Sequence, residues 1–210
     1  MTTGAGAPYV VSGFRRTVQT VVKLGGSLLA NTRQLDAVLH TIALVSRERG
    51  LLVVPGGGPF ADAVREVDRE VGLPDTAAHW MAVLAMDQYG HVVVSRLRGS
   101  VLVSAPHEVA SAIESNLLPV LAPSRWLREA DPLPHNWDVT SDSISAWVAG
   151  AVGAARLVLV KPALAVDAAA KADAGELVDR YFPRALPSGV TSLIVAADQI
   201  ETLESALRGT

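Results

Sequence analysis

Short apolar runs alternate along this chain with longer stretches in which apolar residues recur every three or four positions. Val18 to Val22, Leu51 to Val54, Val101 to Ser104, Leu117 to Ala122, Leu157 to Val160 and Thr191 to Ala196 read as strands. Between the first two, Leu35, Val38, Leu39, Ile42 and Val45 fall on one helical face, and Gly50 closes the segment. Phe60 to Val71 is helical, with Ala61, Val64 and Val67 on one side, until Gly72-Leu73-Pro74 breaks it. Asp75 and Thr76 are cap candidates for a long helix running to about Gly90 or slightly beyond. Pro106 to Asn116, Ser124 to Ala130 and Ser143 to Gly153 read as further helices, the last capped by Thr140 or Ser141, and Asp198 caps a final one. Such alternation predicts an α/β fold with a mainly parallel central sheet between helical layers.

Composition narrows the class. The 210 residues are half hydrophobic with a formal net charge of −3, enough for a sizeable core and without a basic block for a nucleic-acid backbone. There is no cysteine, which excludes disulfides and thiolate metal sites. No apolar run of about 18 residues is present to span a membrane. Residues 1–17 read as a flexible arm without signal-peptide character, and a cytoplasmic location is expected. Residues 18–210 are expected to form the working domain, with a soft boundary near Asp131 to Asn136.

Two glycine-rich junctions carry the chemistry. Lys23-Leu24-Gly25-Gly26-Ser27 follows the first strand, and Pro55-Gly56-Gly57-Gly58-Pro59 follows the second. Glycines there let peptide N–H groups converge on an anion at the mouth of the next helix. A lysine heading such a loop can neutralise charge on a phosphoryl group in transfer. At Gly57, close ligand approach or a positive φ is the expected reason for glycine. Only three lysines exist, Lys23, Lys161 and Lys171, so a strand-end lysine is a scarce resource here. A third polar run, His135 to Ser143, enters an apolar helix. In it, Asp142 suits either a helix cap or the orientation of a lysine, and His135, Asn136 and Asp138 are candidates to hold a substrate or Mg²⁺. Trp137 is either an aromatic wall or packing. Lys161 ends its strand as Lys23 does and can reach the same phosphates from the other side. His79 and Asp87, eight apart, share a face of the long helix.

The ordered motifs KLGGS, VVPGGGPF and NWDVTSDSISAWVA resemble those of the amino acid kinase superfamily, over about Val18 to Val160. Within it, HWMAVLAMDQYG and PHNWDVTSDSI look most like the branch that phosphorylates aminomethylfuranylmethyl phosphate. The resemblance implies a three-layer αβα sandwich, ATP and Mg²⁺ as cofactors, a small-molecule acceptor and a homo-oligomer. It implies an acceptor half at 18–130 and a shortened nucleotide half at 131–210. It assigns Lys23, Asp142 and Lys161 to catalysis, and Lys23, Gly25, Gly26 and Ser27 to the ATP phosphates. Gly56, Gly57 and Gly58 go to the acceptor, to which the polar-run candidates His135, Asn136 and Asp138 are added on their own chemistry, and no residue is assigned directly to a metal. Where the superfamily carries T-D-V-D-G, this chain reads Lys161-Pro162-Ala163-Leu164-Ala165-Val166-Asp167, and a later lysine-bearing segment is missing. Lys161 and Lys171 are then the second-lysine candidates, and a non-catalytic ligand-binding or assembly subunit is the alternative reading.

Overall fold

The computed structural model describes residues 17–162 and 177–210. Among these, six strands form one sheet in the order β3-β4-β2-β1-β5-β6: β1 Thr20–Leu24, β2 Leu51–Pro55, β3 Ser100–Val103, β4 Leu118–Leu121, β5 Arg156–Lys161 and β6 Thr191–Ala196. Every pairing is parallel. The central strands β1 and β2 are buried along their whole length. That is why they read as unbroken apolar runs and not as an alternation.

Strand periodicity sorts the side chains into two cores. Val21, Leu52, Val54, Leu157 and Leu159 face a layer built from α4 (Pro106–Glu114), α5 (Ser124–Ala130), α6 (Ser141–Ala151) and the short α7 (Phe182–Ala185). Val22, Leu24, Val53, Val158 and Val160 face α1 (Thr32–Ser46) and α8 (Ile200–Arg208). The helix α2 (Gly58–Val71) follows β2 and packs beside α3 (Asp75–Arg96). α3 gives Val83 and Met86 to the first core but Tyr89 and Val93 to the second. It crosses the carboxyl edge of the sheet, and Gly90 marks the crossing. A Cβ there would stand 3.0 Å from Leu102 Cδ1 and 3.6 Å from the Leu121 carbonyl. The layered α/β architecture is the one expected from the sequence. The long helix, expected to end at about Gly90 or slightly beyond, runs on to Arg96, and a 3₁₀ turn over Gly26–Ala30 precedes α1.

Candidate active site

Lys23 is the last residue but one of a wholly buried strand and is itself 4% exposed, a rare place for a lysine. Its position in β1 has the parity of Val21, so its side chain leaves the sheet on the α6 side. Lys161 has the parity of Leu157 and Leu159 in β5, and the register Lys23↔Leu159 sets the two lysines one step apart on that face. The N-terminus of α6 comes down on them. Asp142 Oδ1 lies 2.7 Å from Lys23 Nζ, and Lys161 Nζ donates to Asp142 Oδ2 at 2.6 Å.

Two cations thus share one buried carboxylate, leaving a net positive charge. Burial alone would raise the Asp142 carboxyl, but the two ammonium groups outweigh it and hold it below its ordinary value. Burial, then the Lys23 charge, pull Lys161 down to about 8 against the pull of Asp142.

Asp142 is free for this task because another residue caps α6. Asp179 Oδ2 accepts from Thr140 N at 2.9 Å, Thr140 Oγ1 at 2.7 Å and Ser143 N at 3.0 Å. Its Oδ1 accepts from the Ser143 hydroxyl. Thr140 stands at the cap position but makes no side-chain cap itself. The sequence did not reveal Asp179, which lies 36 residues from Ser143.

The two glycine loops interlock above the lysines. A Cβ on Gly26 would fall 2.1 Å from Gly58 N, and one on Gly56 would fall 2.8 Å from Gly26 N. Gly25 N donates to the Val160 carbonyl and Gly56 N to the Leu24 carbonyl, both at 2.8 Å, extending the strand ladders. At Gly57 the expected positive φ is absent. Its φ is −83°, and its crowding comes from Ala61 Cβ of the following turn, 2.3 Å from a built Cβ. The left-handed residue is Gly58, at φ +55°.

A cavity of about 240 Å³ opens where these elements meet. Lys23, Lys161 and Asp142 line it, with Gly26, Ser27, Gly57 and Gly58 from the loops. Gly25 and Gly56 are buried beneath the loops and do not line it. Asp62 and Arg65 of α2, Trp137, Thr140 and Ser141 complete its polar lining together with His79. Trp137 is the aromatic wall. Its Nε1 donates to Asp68 Oδ2 at 2.7 Å, and the Arg65 guanidinium lies over its ring at 4.9 Å. Arg65 adds a cation that sequence reasoning missed, because its site neighbour Trp137 is far away in the chain.

The other members of the polar run sit outside the lining. His135 stacks on His79 and contacts Thr76 Oγ1 at 3.2 Å and Asp131 Oδ1 at 2.8 Å. Asn136 Oδ1 accepts from Asp138 N at 3.0 Å, closing its own turn. Asp138 is exposed, with Arg180 at 3.7 Å. Asp87 accepts from the Ser124 N–H at 3.1 Å and from its hydroxyl, tying α3 to α5 instead of facing the cavity. Lys171 and the segment from Ala163 to Asp167 lie outside the described residues. Among the described residues no three metal-capable side chains cluster, and both Asp142 oxygens are taken by lysines. The described residues therefore form no protein cage for Mg²⁺.

Comparison with known proteins bears on the family and the fold. The (5-(aminomethyl)furan-3-yl)methyl phosphate kinase of Methanocaldococcus jannaschii is 30% identical over 128 residues, covering 61% of this chain and 58% of that protein. The aligned region thus spans less than two thirds of that relative. UMP kinase from Ureaplasma parvum superposes with a TM-score of 0.70 at 14% identity, over 93% of this chain and 94% of that one. Uridylate kinase from Archaeoglobus fulgidus does so at 0.66 and 15%, over 91% and 96%. At those identities the likeness is one of fold. The model of the amino acid kinase family matches residues 19–166, well over half of the sequence, and the chain belongs to that family.

Proposed function

We propose that this chain is an ATP-dependent kinase of a small phosphorylated metabolite, with (5-(aminomethyl)furan-3-yl)methyl phosphate as its acceptor and the diphosphate as product. The observation that carries the reading is the Lys23–Asp142–Lys161 triad at the base of a cavity walled by two glycine loops. Phosphoryl transfer asks a protein mainly for position and positive charge. An acceptor phosphate oxygen forms the new bond to the γ-phosphorus, the bond to the β-bridging oxygen breaks, and ADP leaves with that electron pair. No proton has to be removed from a phosphate acceptor, so no general base is needed.

In this reading Lys23, Gly26 and Ser27 meet the transferring phosphates, with Gly25 shaping their loop. Lys161 approaches from β5, and Asp142 keeps the two ammonium groups apart and charged. Gly57 and Gly58, with Gly56 beneath them, and Arg65 meet the acceptor phosphate. His135, Asn136 and Asp138 support the acceptor wall from outside. Mg²⁺ would arrive on the nucleotide, held by phosphate and water oxygens. We extend the reading to a cytoplasmic homo-oligomer, which sedimentation of the purified chain checks.

The test is ADP formation with that acceptor, with the diphosphate identified by phosphorus NMR. Lys23→Ala should lower kcat about a hundredfold or more, the usual cost of one electrostatic stabiliser. Activity should fall above about pH 8 as Lys161 loses its proton. Tight ligand binding with no ADP formed would favour a non-catalytic binding subunit instead.

A further inference from the structure

One wall of the cavity is a single stripe of α3. His79, Ala82, Val83 and Met86 face it, at the spacing of one helical face. Three of the four are apolar. His79 is 7% exposed, and neither of its ring nitrogens has a hydrogen-bond partner among the described residues. Neither nitrogen is fully enclosed and unpaired in the manner of Thr20 Oγ1 or the Tyr89 hydroxyl, so the ring keeps open space on one side. Here the open side of the ring is the cavity.

The ring is held by packing. His135 stacks on it at 4.4 Å with an interplanar angle of 16°, and Trp80 meets it edge-on at 5.0 Å. His135 is itself fixed by Thr76 and Asp131, and the Arg128 guanidinium lies over the Trp80 ring at 4.5 Å. His79 is therefore the inner leaf of a layered aromatic wall whose outer leaves are already anchored.

We propose that His79 determines acceptor specificity by hydrogen-bonding an amine or hydroxyl substituent of the acceptor, whose otherwise apolar body lies along the α3 stripe. The inference rests on the kinase reading above. Burial first, then the neighbouring His135, with Asp131 opposing, bring His79 down to about 4, so the ring is neutral at working pH. A neutral imidazole carries one N–H donor and one acceptor nitrogen. It pairs with an amine or a hydroxyl and repels neither. The lysines and Arg65 supply the charge for phosphates, which leaves His79 to read the other end of the molecule.

The probes are (5-(aminomethyl)furan-3-yl)methyl phosphate and its analogue with a methyl group in place of the aminomethyl group, each with ATP. The wild-type chain should prefer the amine by about tenfold or more in kcat/KM, expressed in KM, since a site built for a hydrogen bond rejects a ligand lacking it. His79→Phe keeps a flat ring against His135 and Trp80 and should bring that ratio near one, with KM for ATP unchanged. His79→Gln should restore part of the preference. A wild-type ratio near one, or the full preference surviving in His79→Phe, overturns the role of His79 while the kinase reading stands. No transfer to either probe by the wild-type chain overturns the kinase reading and this inference with it. Should the Phe variant fail to fold, NMR of the wild-type imidazole decides. Its resonances should move on adding the amine probe and stay still with the methyl analogue, and equal behaviour with both overturns the proposal.

Discussion

Replacing Asp142 by asparagine separates its two candidate roles. A capping aspartate tolerates the change, because asparagine caps about as well. The structure predicts the opposite outcome, since Asp179 caps α6 and Asp142 stands between two buried ammonium groups. Removing one partner from a buried ion pair costs about 3–5 kcal/mol. Deprotonating Lys161 offers relief, but bringing a lysine from its ordinary 10.5 to neutrality at pH 7 costs about 5 kcal/mol, at about 1.4 per unit. The relief is thus of the same size as the strain. For a chain of this length about 3–5 kcal/mol is roughly 6–20 °C in Tm. The pH dependence supplies a signature. In the wild-type chain the folded-state pKa of Lys161 is lowered to about 8, so the unfolded chain holds more protons between about 8 and 10.5 and stability rises with pH there. Without the Asp142 charge the folded pKa falls further, and the same rise begins below pH 8. The gap between the two melting curves should therefore shrink as pH approaches about 8 and stay level above it. The assay is thermal unfolding of both proteins from pH 6 to 10. An asparagine variant that melts within about 2 °C of wild type at pH 7, with a gap indifferent to pH, would falsify the triad as the role of Asp142.

Two further outcomes follow from the same geometry. Gly26→Ala forces a Cβ to 2.1 Å from Gly58 N and 2.4 Å from Gly58 Cα, backbone that cannot swing aside, so it should cost several kcal/mol and weaken both ligands together. Gly189→Ala, with open space around it, should be neutral or slightly stabilising when both variants are unfolded by denaturant titration, and equal effects from both would refute the interlock. Asp179→Ala removes the cap of α6 and should cost about 1–2 kcal/mol, while Asp179→Asn keeps one acceptor oxygen and recovers part of it. If Asp179 positions Asp142, the Ala variant should also lower kcat and shift the alkaline limb near pH 8. A loss of stability with kcat and the pH profile intact would make it only a cap.

The strands were legible because a parallel sheet buried on both faces leaves whole runs apolar, and most helices because one face is wetted; α6, in which no residue is exposed, is the exception. Lys23 and the glycine junctions stood out as costly residues at strand ends. What the sequence hid are pairings between distant residues. Asp179 on Thr140 and Ser143, Asp68 on Trp137, and Arg65 over Trp137 each join residues far apart in the chain. With Asp179 invisible, Asp142 could be read equally as cap or as lysine partner. The dense polar run from His135 misled in a local way. Asn136 spends its oxygen on the N–H of Asp138, two residues on, which is the ordinary use of asparagine in a turn. Polar density there marks the entry to α6 as much as a ligand contact.

The glycines show why a motif can be right in place and incomplete in reason. Under the proposed function, peptide N–H groups that meet phosphate give a role to Gly26, Gly57 and Gly58, which line the cavity. They do not explain Gly25 and Gly56, whose N–H groups are spent on the Val160 and Leu24 carbonyls. Those two are glycine because β1, β2 and β5 close ranks at their carboxyl ends. A side chain at Gly25 would meet the Val160 carbonyl at 2.8 Å, and one at Gly56 would meet Gly26 N at the same distance. Parallel pairing of β1 with β5 sets Lys23 and Lys161 on neighbouring strands within reach of one carboxylate. The loops thus serve the site twice: Gly26, Gly57 and Gly58 line the cavity, and Gly25 lets the ends of β1 and β5, which carry Lys23 and Lys161, pair without a clash. A substitution at Gly25 should accordingly act through the spacing of the lysines, lowering kcat more than it raises KM for ATP. Steady-state kinetics of Gly25→Ala would show this, and a pure KM effect would return Gly25 to the role of a phosphate contact.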